Sequence, residues 1–126
     1  MICYTYNQQV TPPAPFVHVT IQPPDRRTAV SDLPALLDTA ADITVIPARV
    51  AEKLGLVPLD EVPIGGFDGR VTWVSTFLVE LALKQFESKV MRVVAGRDEP
   101  YVLLGRDVLN GRRILLDGPQ GRLEIE

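Results

Sequence analysis

The sequence contains a single cysteine, Cys3, and a single histidine, His18, among its 126 residues. One cysteine and one histidine are too few ligands for a zinc, haem or iron–sulfur centre held by one chain. Catalytic pairs of the Ser-His or Cys-His kind would depend on His18 alone, so most nucleophilic hydrolase chemistry is disfavoured. We therefore expect no metal site and no cofactor.

Long apolar runs and an excess of positive charge are also missing. Nowhere do about 18 apolar residues follow one another, as a membrane-spanning helix requires, and Met1–Val10 lacks the basic start of a secretion signal. Thirteen Lys and Arg against sixteen Asp and Glu give a net charge of -3. This balance provides no basic field for nucleic acid or an anionic membrane. The sequence predicts a cytoplasmic protein, and the lone cysteine agrees with a reducing compartment.

The composition is that of an ordinary globular domain, with 46% hydrophobic and 23% charged residues. A chain of this mass exposes roughly 6,700 Å² when folded against about 20,000 Å² when unfolded, so a core can form without disulfides or metals. One domain is expected over residues 16–126. Residues 1–15 are rich in Asn, Gln and Pro and predict a flexible N-terminal arm.

Alternating hydrophobicity dominates the pattern after residue 15. Val17, Val19 and Ile21 alternate with polar residues, which predicts a half-buried strand with the histidine on its exposed face. Further strands are predicted at 29–37, 43–46, 77–83, 89–94, 101–104, 113–116 and 122–125, with a Gly-rich hairpin at 62–71. A short helix is predicted after Pro47 and one helical turn at Arg106–Asn110. The fold class is therefore all-β with one or two short helices.

A carboxylate follows a buried stretch in the segment Leu36-Leu37-Asp38-Thr39-Ala40-Ala41-Asp42. Such an aspartate either caps the turn by accepting backbone N–H groups or is held for acid–base chemistry in a partly desolvated site. The segment alone leaves both readings open. Binding of a hard cation by Asp38 and Asp42 is a poor third reading, because no glycine-spaced carboxylate loop follows.

One carboxylate is insufficient for the usual hydrolysis of an amide by carboxyl groups. That chemistry needs two carboxyls that share a proton, so that one activates water while the other assists the carbonyl oxygen. A small domain can supply the pair by two-fold association with a second copy of itself.

Three segments resemble the retropepsin-like aspartic proteases, the group that includes the retroviral proteases and their bacterial and cellular relatives. They are Leu36–Ile46, the hairpin Ile64–Gly69 and Val102–Leu109, in the family's order and at compatible spacing. The resemblance implies a closed β-barrel half that dimerises into an acid-protease fold. It also implies an aspartic endopeptidase without a cofactor, acting on extended polypeptides.

The resemblance assigns the catalytic role to Asp38, one from each subunit of a homodimer, with the lytic water between them. Thr39 matches the residue whose hydroxyl bonds across the two-fold axis and keeps the two aspartate loops rigid. Ala40 stands where the family usually has glycine, beside the substrate backbone. The strand Arg122–Ile125 is expected to contribute to the interface, as chain ends do in the family.

Further positions match residues that contact the substrate. Asp42 matches a residue that binds substrate main chain and forms an ion pair with Arg106, whose planar fork suits a buried carboxylate. Val45 and Leu103 match pocket-lining positions, which predicts apolar side chains on either side of the cut bond. The matching flap residues, which close over the peptide, are Ile64, Gly65, Gly66 and Phe67.

Ala40 keeps a second function open. If this position needs a positive φ, or if the substrate backbone packs against it, the methyl group reduces turnover without changing the fold. The alternative function is then a catalytically weak or inactive dimeric peptide-binding module of the same fold.

Overall fold

Ten strands and two short helices form the structure, a computed structural model that describes residues 1–66 and 68–126. The elements are β1 (Ile2–Thr5), β2 (Phe16–Gln22), β3 (Val30–Leu37), β4 (Val45–Pro47), α1 (Ala48–Lys53), β5 (Glu61–Gly65), β6 (Val71–Leu83), β7 (Lys89–Gly96), β8 (Val102–Leu104), α2 (Arg106–Leu109), β9 (Ile114–Asp117) and β10 (Arg122–Ile125). The all-β prediction with two short helices is confirmed.

Six strands close into a barrel in the order β2-β3-β8-β4-β7-β6, because β2 also pairs with β6. The pairs β3–β8 and β4–β7 are parallel, and the other pairs in the barrel are antiparallel. The apolar positions that alternate along β2, namely Val17, Val19 and Ile21, are buried in the core, and His18 is exposed. Beyond the barrel, β5 pairs with the first part of β6 as a two-stranded hairpin.

Helix α1 lies where the sequence predicts it. Pro47 precedes its first residue with φ at -60°, a value that suits a helix start, and Gly55 follows it with φ at +61°. Buried Val50 and Ala51 attach the helix to the core. Neither α1 nor any other helix among the described residues has the length and apolar character needed to cross a membrane.

The N-terminal residues differ from the prediction. Ile2–Thr5 forms β1, which pairs antiparallel with β10 in a second sheet of order β1-β10-β9. Ile2 is buried, and Tyr4 and Tyr6 pack against the core. The predicted flexible arm over residues 1–15 is therefore wrong for this segment. Its apolar and aromatic residues alternate as in any half-buried strand, a pattern that the prolines following it obscured.

A buried carboxylate joins the β2–β3 connection to the barrel. The Glu80 side chain is 4% exposed and accepts hydrogen bonds from the Arg26 guanidinium at 2.9 and 2.7 Å. It also accepts the hydroxyl of Ser88. The hydrogen bonds from Arg26 and Ser88 lower the pKa of Glu80 from 4.5 to about 2.

This ion pair predicts a specific pH dependence of stability. The folded-state pKa of Glu80 lies below the unfolded value, so its stabilising effect is full above pH 4.5 and is lost as the pH falls through about 2. We expect Glu80→Gln to unfold at lower urea concentration than the parent at neutral pH, with a difference that shrinks over this range. Urea titrations of both proteins at several pH values in this range measure the difference between their unfolding midpoints. A difference that stays constant at every pH would contradict the stabilising role of the Glu80 ion pair.

Candidate active site

Asp38 lies where β3 leaves the barrel. Leu37 is opposite Leu104 in the parallel β3–β8 pair, and the Asp38 N–H donates to the Leu104 carbonyl at 2.9 Å. The chain then turns, because the Ala41 N–H donates to the Asp38 carbonyl at 3.2 Å. Within the turn, Asp38 Oδ1 accepts the Ala40 N–H at 3.1 Å. The carboxylate caps its own turn and is only half-buried, so the capping and acid–base readings are compatible.

Arg106, the first residue of α2, holds this loop from the other side. Its guanidinium donates to the Thr39 carbonyl at 2.6 Å and to the Asp42 carboxylate. Its backbone N–H donates to the Ala41 carbonyl at 2.9 Å. The structure thus brings Asp42 and Arg106 together, but the Asp42 side chain is 85% exposed rather than buried. An exposed pair of this kind contributes at most about 1 kcal/mol to stability, so its main effect is to position the loop.

A buried hydroxyl connects the loop to α2. Thr44 is fully buried, and its N–H and hydroxyl donate to the two Asp107 carboxylate oxygens at 2.9 and 2.7 Å. The Thr44 hydroxyl oxygen accepts the Gly105 N–H at 3.1 Å. A Cβ at Gly105 would lie 2.9 Å from both the Ala41 carbonyl oxygen and the Ile43 carbonyl carbon. Because these are backbone atoms, only glycine permits this close packing of the loop on α2.

A cavity of about 220 Å³ lies between the Asp38 loop and the β5–β6 hairpin. It is lined by Ala40, Ala41, Asp42, Ile43, Val45, Pro63, Ile64 and Gly65. The loop side and the hairpin side come from segments about 20 residues apart in the chain, which the barrel brings face to face. The cavity has small and apolar walls and one carboxylate at its edge. Such a cavity suits an apolar side chain that is attached to a polar backbone.

Four of the predicted substrate-binding residues line this cavity, namely Asp42, Val45, Ile64 and Gly65. Leu103 lies directly opposite Val45 in the β4–β8 pair and is half-buried. Thr39 is exposed beside Asp38. Gly66 is exposed in the turn of the hairpin and does not line the cavity. Phe67, also predicted to contact substrate, lies outside the described residues.

Ala40 lines the cavity without backbone strain. The non-glycine residues with positive φ in the described chain are Arg26, Asp32 and Gln85, and Ala40 is not among them. One of the two reasons for doubting an alanine at this position, a required positive φ, is therefore wrong. What remains is the volume of one methyl group beside the cavity.

Sequence reasoning missed several contributors to the site. Ala41, Ile43 and Pro63 line the cavity, and Thr44 with Asp107 braces the loop. Thr44 carried a usable signal, because a hydroxyl inside an apolar strand needs a hydrogen-bond partner. The identity of that partner, 63 residues further along the chain, had no local signal.

The two aspartates of the loop do not form a metal-binding cluster. Within residues 1–66 and 68–126, no three His, Cys, Asp or Glu side chains are arranged to hold a metal ion. The Asp42 carboxylate is engaged by Arg106 instead. The cation-binding reading of Asp38 and Asp42 gains no support from this arrangement.

Residues 29–111 match the family model described as "gag-polyprotein putative aspartyl protease". This range contains all three segments that carry the resemblance seen in the sequence, namely Leu36–Ile46, Ile64–Gly69 and Val102–Leu109. No curated protein sequence matches the chain.

Solved structures share the fold. EIAV protease in complex with the inhibitor HBY-793 is 26% identical, with a TM-score of 0.65, over 90% of this chain and 100% of that one. A retropepsin-like aspartic protease from Rickettsia conorii is 14% identical, with a TM-score of 0.68, over 97% and 86%. The retroviral protease-like domain of Ddi1 from Leishmania major is 16% identical, with a TM-score of 0.54, over 90% and 88%. The barrel is therefore a retropepsin-like fold, as predicted.

Proposed function

The chain belongs to the gag-polyprotein aspartyl protease family, and we propose that it is an aspartic endopeptidase that acts as a homodimer on extended polypeptides. The observation that carries the proposal is the position of Asp38. Its half-buried carboxylate lies on a turn braced by Arg106, next to a cavity whose far wall is the β5–β6 hairpin. One chain supplies one such carboxylate, so the second comes from the same loop of a second copy.

Two facing carboxyl groups would share one proton, because both cannot ionise cheaply at short distance. The ionised group takes a proton from water as the water attacks the peptide carbonyl, and the protonated group donates to the carbonyl oxygen. Collapse of the tetrahedral intermediate breaks the C–N bond, and the leaving amine takes a proton from the pair. No covalent bond to the protein forms. We expect activity at acidic to neutral pH that declines when both carboxyls ionise.

The hairpin supplies the surface for an extended substrate. β5 is the last strand in its sheet order, so its outer edge is unpaired within the described chain. A peptide can add to such an edge, with backbone hydrogen bonds providing affinity and side-chain pockets providing selectivity. Val45, Ile64 and Leu103 favour apolar side chains next to the cut bond.

Pairing of two subunits through their strands needs an unpaired strand edge. The strand predicted to contribute to the interface, β10, offers no such edge. β10 lies between β1 and β9, so both of its edges are paired within the chain. The outer edges of this sheet are those of β1 and β9. We assign the interface to the edge of β9, because its Leu115 and Leu116 are 55% and 50% exposed whereas Ile2 of β1 is buried. An exposed apolar edge strand is a template for pairing with another chain, and two such edges can pair antiparallel about a two-fold axis.

The test is cleavage of an unfolded protein mixture between about pH 4 and about pH 7, with products identified by mass spectrometry. We expect the parent to cleave.

Ala40→Gly is expected to lower KM by up to about tenfold, or about 1.4 kcal/mol, because it removes a methyl group from the cavity lining. It is also expected to lower the free energy of unfolding by about 0.4–1 kcal/mol, since glycine gives the unfolded chain more freedom.

The outcomes separate the two functions. Activity in Ala40→Gly with a silent parent would mean that one methyl group blocks a competent site. Silence from both proteins would overturn the proposal and favour the peptide-binding module. Urea titrations of both proteins confirm that each is folded in the assay.

A further inference from the structure

The β5–β6 hairpin leaves the barrel at one residue. Along β6, Val71–Ser75 pairs with β5, whereas Thr76 is the first residue that pairs with β7, opposite Val94. A two-stranded hairpin is only marginally stable by itself. Its orientation over the cavity therefore depends on the bonds at this junction.

A single carboxylate connects the three strands that meet there. Asp60 directly precedes β5, and its carboxylate accepts the Thr76 hydroxyl of β6 and the Arg92 guanidinium of β7, the latter at 3.3 Å. Backbone bonds reinforce the junction, from the Thr76 N–H to the Asp60 carbonyl at 2.8 Å and from the Leu59 N–H to the Thr76 carbonyl at 2.9 Å. Thr76 is fully buried, whereas Asp60 is half exposed.

The junction also lies beside the candidate active site in the same sheet. Val94, opposite Thr76, donates its N–H to the Thr44 carbonyl at 3.1 Å. Thr44 directly precedes Val45, which lines the cavity. The base of the hairpin and the strand that contributes Val45 to the cavity lining are therefore separated only by β7 in one sheet.

We propose that Asp60, Thr76 and Arg92 form a latch that sets the angle of the hairpin over the cavity, and that Asp60 is a positioning residue for peptide binding. The proposal rests on the proposed function, in which the hairpin closes over the substrate. The backbone bonds fix the pairing of the hairpin, and the carboxylate restrains its rotation relative to β7. Loss of the latch lets the hairpin sample open positions and weakens substrate binding more than it slows the chemical step.

The test uses Thr76→Val, which removes the hydroxyl at similar volume, and Asp60→Asn, which removes the charge paired with Arg92. We expect KM to rise roughly three- to tenfold with kcat within about twofold in each. Hairpin amides, at residues 62, 64, 65 and 71–74, are expected to exchange with deuterium at least about tenfold faster. Thr76→Ser is expected to restore both parental values.

Two features keep the experiment decisive. Trp73, the sole tryptophan, lies in the hairpin opposite Pro63 and is exposed, so its fluorescence anisotropy follows the hairpin without any cleavage. Asp25→Asn is the matched control, because Asp25 forms a similar surface ion pair with Arg27 at 2.8 Å in the β2–β3 connection.

Parental exchange and anisotropy in both latch variants would overturn the latch, as would equal changes in Asp25→Asn. A loss of kcat as large as the rise in KM would overturn the positioning role. Faster amide exchange without any rise in KM would overturn it as well. If the parent cleaves nothing, the proposed function fails, while exchange and anisotropy still decide whether the latch restrains the hairpin.

Discussion

Replacing Asp38 by Asn is expected to lower kcat/KM by at least about 10³-fold, within the range that a lost general acid–base group produces. Asparagine keeps an Oδ1 that can accept the Ala40 N–H, the bond that caps the turn, so the loop is expected to keep its shape. Its amide neither ionises nor shares a proton, so the water is no longer activated. Steady-state kinetics on a cleaved peptide measure the loss, and thermal unfolding checks the fold.

Mixing the two proteins tests whether the site is shared. In an equal mixture of parent and Asp38→Asn chains with exchanged subunits, about a quarter of the dimers carry two intact Asp38 side chains. Activity is therefore expected to be about a quarter of that of pure parent at the same total protein concentration. Subunits that each carry a complete site would keep about half. Retention of half the activity would therefore contradict the shared pair even if the single substitution is inactive.

Asp32→Asn is the matched control for this substitution. Asp32 is an exposed carboxylate on the same strand, β3, and has φ at +54°, a conformation that asparagine tolerates. We expect this variant to keep parental kinetics and stability. A similar loss of activity in Asp32→Asn would mean that the effect at Asp38 comes from general charge or folding.

Local patterns were sufficient to predict most of the barrel. Val17, Val19 and Ile21 alternate with polar residues because successive side chains of a strand point to opposite faces, one buried and one exposed. The structure buries all three. Pro47 and Gly55 mark the ends of α1, because the fixed φ of proline suits the residue that leads into a helix and Gly55 adopts a positive φ after the helix. Signals of this kind depend on a few neighbouring residues, so one sequence contains them.

The bracing of the site could not be predicted in the same way. The bonds from Arg106 to the Thr39 carbonyl and from Thr44 to Asp107 join residues more than 60 positions apart. They exist because the parallel β3–β8 pair brings α2 next to the Asp38 loop, and strand order is a property of the whole fold. The resemblance to a family predicted the Asp42–Arg106 pair, but its exposure depends on loop geometry that the motif does not encode.

The N-terminal strand shows how composition can mislead. Ile2 and Tyr4 alternate as a strand requires, yet Asn, Gln and Pro in the following residues dominate the average over the segment. The structure pairs Ile2 with Ile125 of β10. This pairing covers one edge of β10, and the outer edge that carries exposed leucines is then that of β9, the edge we assign to a second copy.

Replacing Leu116 by Lys on that edge is expected to raise the dimer dissociation constant by at least about 100-fold, or about 2.8 kcal/mol. The two-fold axis repeats the substitution, so the interface loses two apolar contacts and gains two like charges. Lysine is also a residue that natural edge strands use to prevent pairing. Sedimentation velocity over a concentration series measures the dissociation constant, and cleavage per chain is expected to fall in parallel.

Val90→Lys is the control for charge and lost apolar surface. Val90 is 55% exposed on β7, close to the 50% of Leu116, and belongs to the barrel rather than the β1-β10-β9 sheet. We expect Val90→Lys to remain dimeric and active. A dimer that survives Leu116→Lys would place the interface on another edge, whereas a fully active monomer would contradict the need for a second Asp38 and with it the proposed mechanism.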